Sequence, residues 1–298
     1  MRIAFEESGG KCILTCEIDS AANQTYRANF SPEHNHEYVE DIFNLSKPPR
    51  HDVLVAGFPC QPYSIAGLRK GLKDKRGQVF TEIVRILNFS KPSAFLLENV
   101  KGMTSHDKGK TFKYLIEELE SCGYTTRTQT LNSMTHSNIP QNRERVFIVG
   151  FREPKKAAAF EFPEPLSLRK SLHECIDGTV SDQKYFYDSR FGCYKEIRSI
   201  VKSPDVIYQW RRQYVRENKS GVCPALTANM GSGGHNVPLV VVGGRIRKLT
   251  PRECANFQGF PKSFNFPEIA DTKLYHQIGN SVTVPLIMRL AKEIARLL

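Results

Sequence analysis

Along the first half of the chain, short apolar runs alternate with stretches whose apolar residues recur at helical spacing. Residues 12–16 read as a short buried strand and 20–29 as the helix after it. A second apolar run, 52–56, ends at Gly57-Phe58-Pro59. Phe80, Ile83, Val84 and Leu87 carry helical spacing within 80–89, and 94–97 reads as a third buried strand. The helix signal returns over 111–121 with Gly123 as its stop, and 146–149 is one more strand. Strands alternating with helices predict an α/β fold whose parallel sheet is covered on both faces. The pattern then dissolves. Residues 171–244 are polar, loop-rich and dotted with aromatics, ending in Gly231-Ser232-Gly233-Gly234 and a β-rich run over 237–242. This predicts a second, smaller irregular domain. Order resumes at Arg247, and the chain closes with an amphipathic helix over 284–298.

With 298 residues, one large or two modest domains are expected. Apolar residues at 40% and charged residues at 24% exclude a disordered chain. Lys and Arg outnumber Asp and Glu by 42 to 31, a net +11 that suits a polyanionic partner, since each neutralised phosphate releases counterions. The charge gathers at Arg69, Lys70, Lys73, Lys75 and Arg76, and again at Arg211, Arg212, Arg216 and Lys219. The eight cysteines form no Cys-x-x-Cys pair, so no metal site is expected. With no signal peptide and no membrane-spanning apolar run, a reduced, cytoplasmic protein is the expectation.

Cys60 stands just past a predicted parallel strand, at the carboxyl edge where open α/β sheets bind ligands. A structural, inert cysteine is the plain alternative. Against it, Gly57, Pro59, Gln61, Pro62 and Ser64 form a loop, not a core stripe. Glu98 directly follows Phe95-Leu96-Leu97, so it too lies at a strand's carboxyl end, where a carboxylate is placed for a task more often than for solvation. Arg143 and Arg145 flank Glu144 just before the strand at Val146, and alternation puts both on one face if the strand already begins there. A solvated ladder of ion pairs is their alternative.

Together these segments resemble the DNA cytosine-C5 methyltransferases. Gly57-Phe58-Pro59-Cys60-Gln61-Pro62-Tyr63-Ser64 looks like that family's nucleophile loop, and Glu98-Asn99-Val100 its Glu-Asn-Val element. Gln141-Asn142-Arg143-Glu144-Arg145 resembles its Gln-x-Arg-x-Arg element. Arg247-Lys248-Leu249-Thr250-Pro251-Arg252-Glu253-Cys254 is similar to the segment after target recognition, and Gln277-Ile278-Gly279-Asn280-Ser281-Val282 to the final motif. Five motifs in order span nearly the whole chain.

The resemblance implies a Rossmann-like, S-adenosylmethionine-dependent α/β domain with a smaller, β-rich target-recognition domain. Its parts would be a catalytic and cofactor domain over 1–170, target recognition over 171–246, a hinge over 247–274 and a returning C-terminal segment over 275–298. By the same resemblance Cys60 attacks C6 of a flipped cytosine, Glu98 holds N3 and the exocyclic amine, Arg145 holds O2, and Arg143 supports thiolate and carboxylate. Glu17 would take the cofactor's ribose hydroxyls, Ile18 its adenine, and Asp41-Ile42 the adenine amine, with Pro59, Asn280 and Ser281 completing the site. Gln61, Ser64 and Arg76 would contact the flipped nucleotide and its phosphates, and Thr227, in Ala225-Leu226-Thr227, the DNA beside it.

The implied protein is a bacterial modification enzyme acting on double-stranded DNA as a nucleoid-associated monomer, paired with a restriction endonuclease of the same site. The family's opening Phe-x-Gly-x-Gly-Gly loop has no counterpart: Met1-Arg2-Ile3-Ala4-Phe5-Glu6 looks like the helix that follows it. A catalytically impaired DNA-binding remnant is therefore a second expectation. A tRNA cytosine-C5 methyltransferase is a third, though such relatives carry a Cys-Phe-Thr signature that is absent here.

Overall fold

A computed structural model describes residues 1–30, 36–59, 75–232 and 235–298, without the side chains of 75–77 and 235. A short helix α1 (Arg2–Glu6) precedes β1 (Leu14–Cys16), helix α2 (Ser20–Arg27) and β2 (Glu37–Val39). β1 and β2 pair in parallel, Cys16 opposite Val39. Asp19 caps α2 by accepting the Ala22 N–H, which satisfies one of the donors a helix start leaves open.

The main sheet is built from β3 (Val53–Gly57), β4 (Ala94–Val100), β5 (Thr125–Asn132) and β7 (Glu144–Phe151), in the order β3-β4-β7-β5. Its core follows the period of two. Ala94 and Leu96 point to one face with Phe147 and Val149, where helix α7 (Val284–Leu297) lays Leu286, Ile287, Leu290 and Ile294 against them. Phe95 and Leu97 point to the other with Val146 and Ile148, under Phe80, Ile83 and Leu87 of α3 (Lys75–Ser90) and Leu115 and Leu119 of α4 (Lys110–Ser121). Both faces are covered, as expected.

The sheet is not wholly parallel, however. β7 runs antiparallel to both β4 and β5. Eleven residues, 133–143, join β5 to β7, and they hold only a one-turn helix, Ser133–His136, and the two-residue β6 (Gln141–Asn142). A right-handed crossover to a parallel neighbour needs a dozen residues or more, usually with a full helix, so the chain turns back instead.

A second sheet, β12-β11-β8-β9, comprises β8 (Tyr208–Arg211), β9 (Val215–Glu217), β11 (His235–Val242) and β12 (Arg245–Lys248), all antiparallel. Tyr208, Trp210, Leu239 and Ile246 pack there with Ile197 of the helix Tyr194–Ile200. The short β10 (Cys223–Pro224) leaves this sheet and pairs in parallel with β6. A third core joins Leu226, Met230 and Val240 to Cys254 of α5 (Pro251–Asn256) and to Tyr275 and Ile278 of α6 (Asp271–Asn280).

Candidate active site

β3 and β4 run side by side, Gly57 opposite Glu98, so both strands end at one edge. Asn99 fastens that edge: its Nδ2 donates to the Phe58 carbonyl at 2.9 Å, and Phe58 is itself buried against Phe80. Gly57 lies under the Glu98 carboxylate, and a Cβ on it would sit 3.4 Å from Oε2. Arg145, at the start of β7, brings Nε to 2.9 Å from Glu98 Oε1, with the two side chains 17% and 12% exposed. Burial raises the Glu98 pKa, and the Arg145 and Arg143 cations only partly oppose it. The carboxyl thus keeps its proton to higher pH than an ordinary glutamate.

Arg143 precedes β7 and points elsewhere. Its Nη1 donates to the Leu226 carbonyl at 2.8 Å, and its Nη2 to the carbonyls of Gly279 at 3.0 Å and Ser281 at 2.6 Å. Burial, then the neighbouring Arg145 cation, draws its pKa down to about 9 against the pull of Glu98. The sequence pattern missed this guanidinium's three carbonyls because they come from two distant segments. Gln141 is buried beside it, and nothing local in the sequence marks its role.

Four of the residues named for a cofactor, Glu17, Ile18, Asp41 and Ile42, lie just past the carboxyl ends of β1 and β2. Glu17 follows β1 and Asp41 lies two residues past β2. Burial, then the carboxylates of Asp41 and Glu17, push the Cys16 thiol up to about 11, which places both acids around it. Glu17 Oε1 accepts the Asp19 N–H at 2.9 Å, and Asp41 Oδ1 accepts the Phe43 N–H at 3.0 Å. Ile18 is 72% exposed and Phe43 37%, an apolar rim beside two acids; Ile42 is half-buried. Pro59 is exposed. Asn280 is exposed at the end of α6, and Ser281 donates its hydroxyl to the Ile278 carbonyl at 2.7 Å. Ribose hydroxyls seek carboxylate acceptors and a purine seeks an apolar face, so this edge fits S-adenosylmethionine.

Thr227 abuts α6 at Gly279, where a Cβ would lie 2.3 Å from the Thr227 carbonyl carbon. Only glycine fits there. The Thr227 hydroxyl is buried without a hydrogen-bond partner among the described residues. Cys60, Gln61 and Ser64, and the Arg76 side chain, lie outside the described residues. Among the described residues no cluster of metal ligands occurs, and no helix is long and apolar enough to cross a membrane.

The doubly covered α/β sheet with one reversed strand has solved counterparts among methyltransferases. The solved structure of the S. pombe Dnmt2 methyltransferase matches it at a TM-score of 0.74, with 18% identity, over 99% of this chain and 95% of that one. That of the Entamoeba histolytica methyltransferase EhMeth matches at 0.70, with 16% identity, over 98% and 94%. The family model for C-5 cytosine-specific DNA methylases matches residues 1–296, and the chain belongs to that family. It is 47% identical over 298 residues to the Type II methyltransferase M.Bsp6I of Bacillus sp. (strain RFL6), covering 98% of this chain and 94% of that protein. It is 34% identical to the Type II methyltransferase M.HpaII of Haemophilus parainfluenzae, over 98% and 85%. The chain is thus a DNA cytosine-5-methyltransferase of the Type II restriction–modification kind.

Proposed function

We propose that the protein methylates C5 of a cytosine flipped out of a specific duplex DNA sequence, through a covalent adduct between Cys60 and C6. The observation that carries this reading is Glu98. It is a largely buried carboxyl with a raised pKa, held on one oxygen by Arg145, its other oxygen over Gly57, three residues before Cys60. A carboxyl that retains a proton can donate to cytosine N3, and this draws electrons from C6 as the thiolate attacks. The adduct turns C5 into an enamine-type nucleophile. Arg145 holds O2, while Arg143 adds positive potential that favours the Cys60 thiolate and opposes, without overcoming, the burial that keeps Glu98 protonated. Loss of the C5 proton and departure of Cys60 restore the aromatic ring.

S-adenosylmethionine, when bound, supplies the methyl group. Glu17, Ile18, Asp41 and Ile42 would hold its ribose and adenine, with Pro59, Asn280 and Ser281 closing the pocket. A base in the duplex stack cannot reach such a site, so it must leave the stack at a cost of about a few kcal/mol. Gln61, Ser64, Arg76 and Thr227 would receive the nucleotide and its flanking phosphates. We assign the division 1–170, 171–246, 247–274 and 275–298 to catalysis, recognition, hinge and return. The protein would act as a monomer in the bacterial cytoplasm, alongside an endonuclease cutting the same sequence.

The test uses a pool of random-sequence duplexes in which cytosine is replaced by 5-fluorocytosine, incubated with S-adenosylmethionine. Fluorine cannot leave as a proton does, so a turnover-trapped covalent complex is expected with the native chain and none with Cys60→Ala. Methyl transfer to ordinary duplex by Cys60→Ala would overturn the assignment.

A further inference from the structure

Gln141 has no part in the reaction just described, yet it is fully buried and both polar atoms of its side chain are engaged. A buried amide is costly unless bonded, and a satisfied one specifies a unique arrangement. Gln141 Oε1 accepts the Leu226 N–H at 3.1 Å, while Nε2 donates to the Phe257 carbonyl at 2.5 Å, with Gln258 Oε1 at 3.3 Å. Two residues on, Arg143 donates to the Leu226 carbonyl at 2.8 Å. Leu226 is therefore gripped by both of its backbone groups, from the side chains that flank Asn142. The backbone extends the grip: Cys223 lies opposite Gln141 and Pro224 opposite Asn142. On the far side Gly279 admits Thr227, and Arg143 holds the Gly279 carbonyl. One residue past Arg143, β7 begins, and its second residue is the arginine that holds Glu98.

We propose that the grip of Gln141 and Arg143 on Leu226 couples the recognition region, once seated on its DNA sequence, to the Glu98–Arg145 pair. The proposal rests on the DNA methyltransferase reading above. Gln141 is a positioning residue: it acts through Leu226 and through the strand that carries Arg145. A shift of 223–228 on DNA pulls directly on Gln141 and Arg143, and so on the start of β7. Gln258 provides a control inside the same buried knot. Its Nε2 donates to the Ile278 carbonyl at 3.1 Å and its Oε1 accepts from Thr283 Oγ1 at 3.1 Å and from Gln141 Nε2 at 3.3 Å, so it touches the Nε2 side of Gln141 and not the Oε1 that takes the Leu226 N–H.

Sequence discrimination in cells tests this. The native chain, Gln141→Met and Gln258→Met are expressed in a host without cytosine methylation, and bisulfite sequencing reads every cytosine of its DNA. Gln141→Met is expected to narrow, by at least about tenfold, the ratio of methylation at the preferred sequence to that at its single-base variants. Gln258→Met is expected to keep the native ratio at a lower overall level. An unchanged ratio in Gln141→Met overturns the proposal, and so does equal narrowing in both variants, which marks the knot as packing alone. If the native chain methylates nothing, the parent reading fails, and the proposal with it. If Gln141→Met does not accumulate, hydrogen–deuterium exchange on the native chain decides. DNA carrying the preferred sequence should slow exchange over 223–228 and 141–147 together, and DNA lacking it should slow neither. Slowing of 223–228 alone is the contrary result.

Discussion

Glu98 with Arg145, and Glu253 with Arg247, are the same two groups held in different ways. Arg247 and Glu253 are completely buried. Glu253 Oε1 accepts from Arg247 Nη2 at 2.6 Å and from the Asp177 N–H at 2.7 Å, and Oε2 accepts from Arg247 Nη1 and the Thr250 N–H, both at 2.7 Å. A carboxylate has about four acceptor positions, and here all are filled by the chain itself. Among the described residues one arginine nitrogen meets Glu98, which remains partly accessible and turns its other oxygen toward the edge where β3 ends. A saturated pair joins segments; an unsaturated one keeps capacity for a substrate. The first ties 177 to the start of α5, and the second stands at the end of β3, against Gly57.

If that distinction holds, the two glutamates should fail in different assays. Glu98→Gln should lower single-turnover methylation by roughly a hundredfold to ten-thousandfold, the range for loss of a positioned acid. Its folding should also lose a pH dependence that the native chain carries. Burial raises the Glu98 pKa in the fold, so its stabilising contribution is complete below about 4.3, the unfolded value, and is lost as pH rises through the folded value. The glutamine variant lacks that slope. Urea titrations between about pH 4.5 and about pH 7 should show it gaining stability on the native chain as pH climbs. Parallel pH curves for the two proteins would show that the carboxyl is not desolvated.

Glu253→Gln should instead cost about 3–5 kcal/mol of stability, because it leaves the Arg247 cation buried without its anion. Turnover per folded molecule, counted by trapped adduct, should stay close to native. A variant that melts normally but fails to turn over would erase the contrast between the pairs.

How much of this contrast was legible beforehand follows from what each residue depends on. Glu98 could be read because it depends on its own strand: a carboxylate straight after Phe95-Leu96-Leu97 lies at a sheet edge. The alternation linking Arg143 and Arg145 was legible too, but not its outcome. One arginine meets Glu98 and the other meets carbonyls from 226, 279 and 281, and no local pattern encodes such partners. Glu253 did leave a local signal, since Thr250-Pro251-Arg252-Glu253 is a capping box with proline at the first helical turn. Strand β5 was missed because Thr125-Thr126-Arg127-Thr128-Gln129-Thr130 is polar, and as an edge strand it buries little besides Leu131. The reversal of β7 depends on connection length, which becomes readable only once β5 is recognised.

The seam between the two regions gives a smaller effect. Gly279→Ala puts a methyl 2.3 Å from the Thr227 carbonyl carbon and the Ala228 nitrogen, both backbone atoms that cannot rotate away. Overpacking of that kind costs about 1–3 kcal/mol. Denaturant midpoints should fall accordingly, and the recognition segment should exchange amide protons faster. No change in either would mean that the seam opens without resistance.

The smallest expected effect is at the second edge, where exposure separates binding from folding. Ile18 is 72% exposed, so Ile18→Ala should move stability by no more than about 0.5 kcal/mol, as surface substitutions do. A side chain so open, next to Glu17 and near Asp41, has apolar area left to bury against a ligand. Removing three carbons from a partly covered contact weakens binding by about 1 kcal/mol, roughly a fivefold rise in Kd. Calorimetry with S-adenosylmethionine alone, in the absence of DNA, reads that change directly. An unaltered Kd beside an unaltered melting curve would remove Ile18 from the cofactor edge and leave Glu17 and Asp41 to define it.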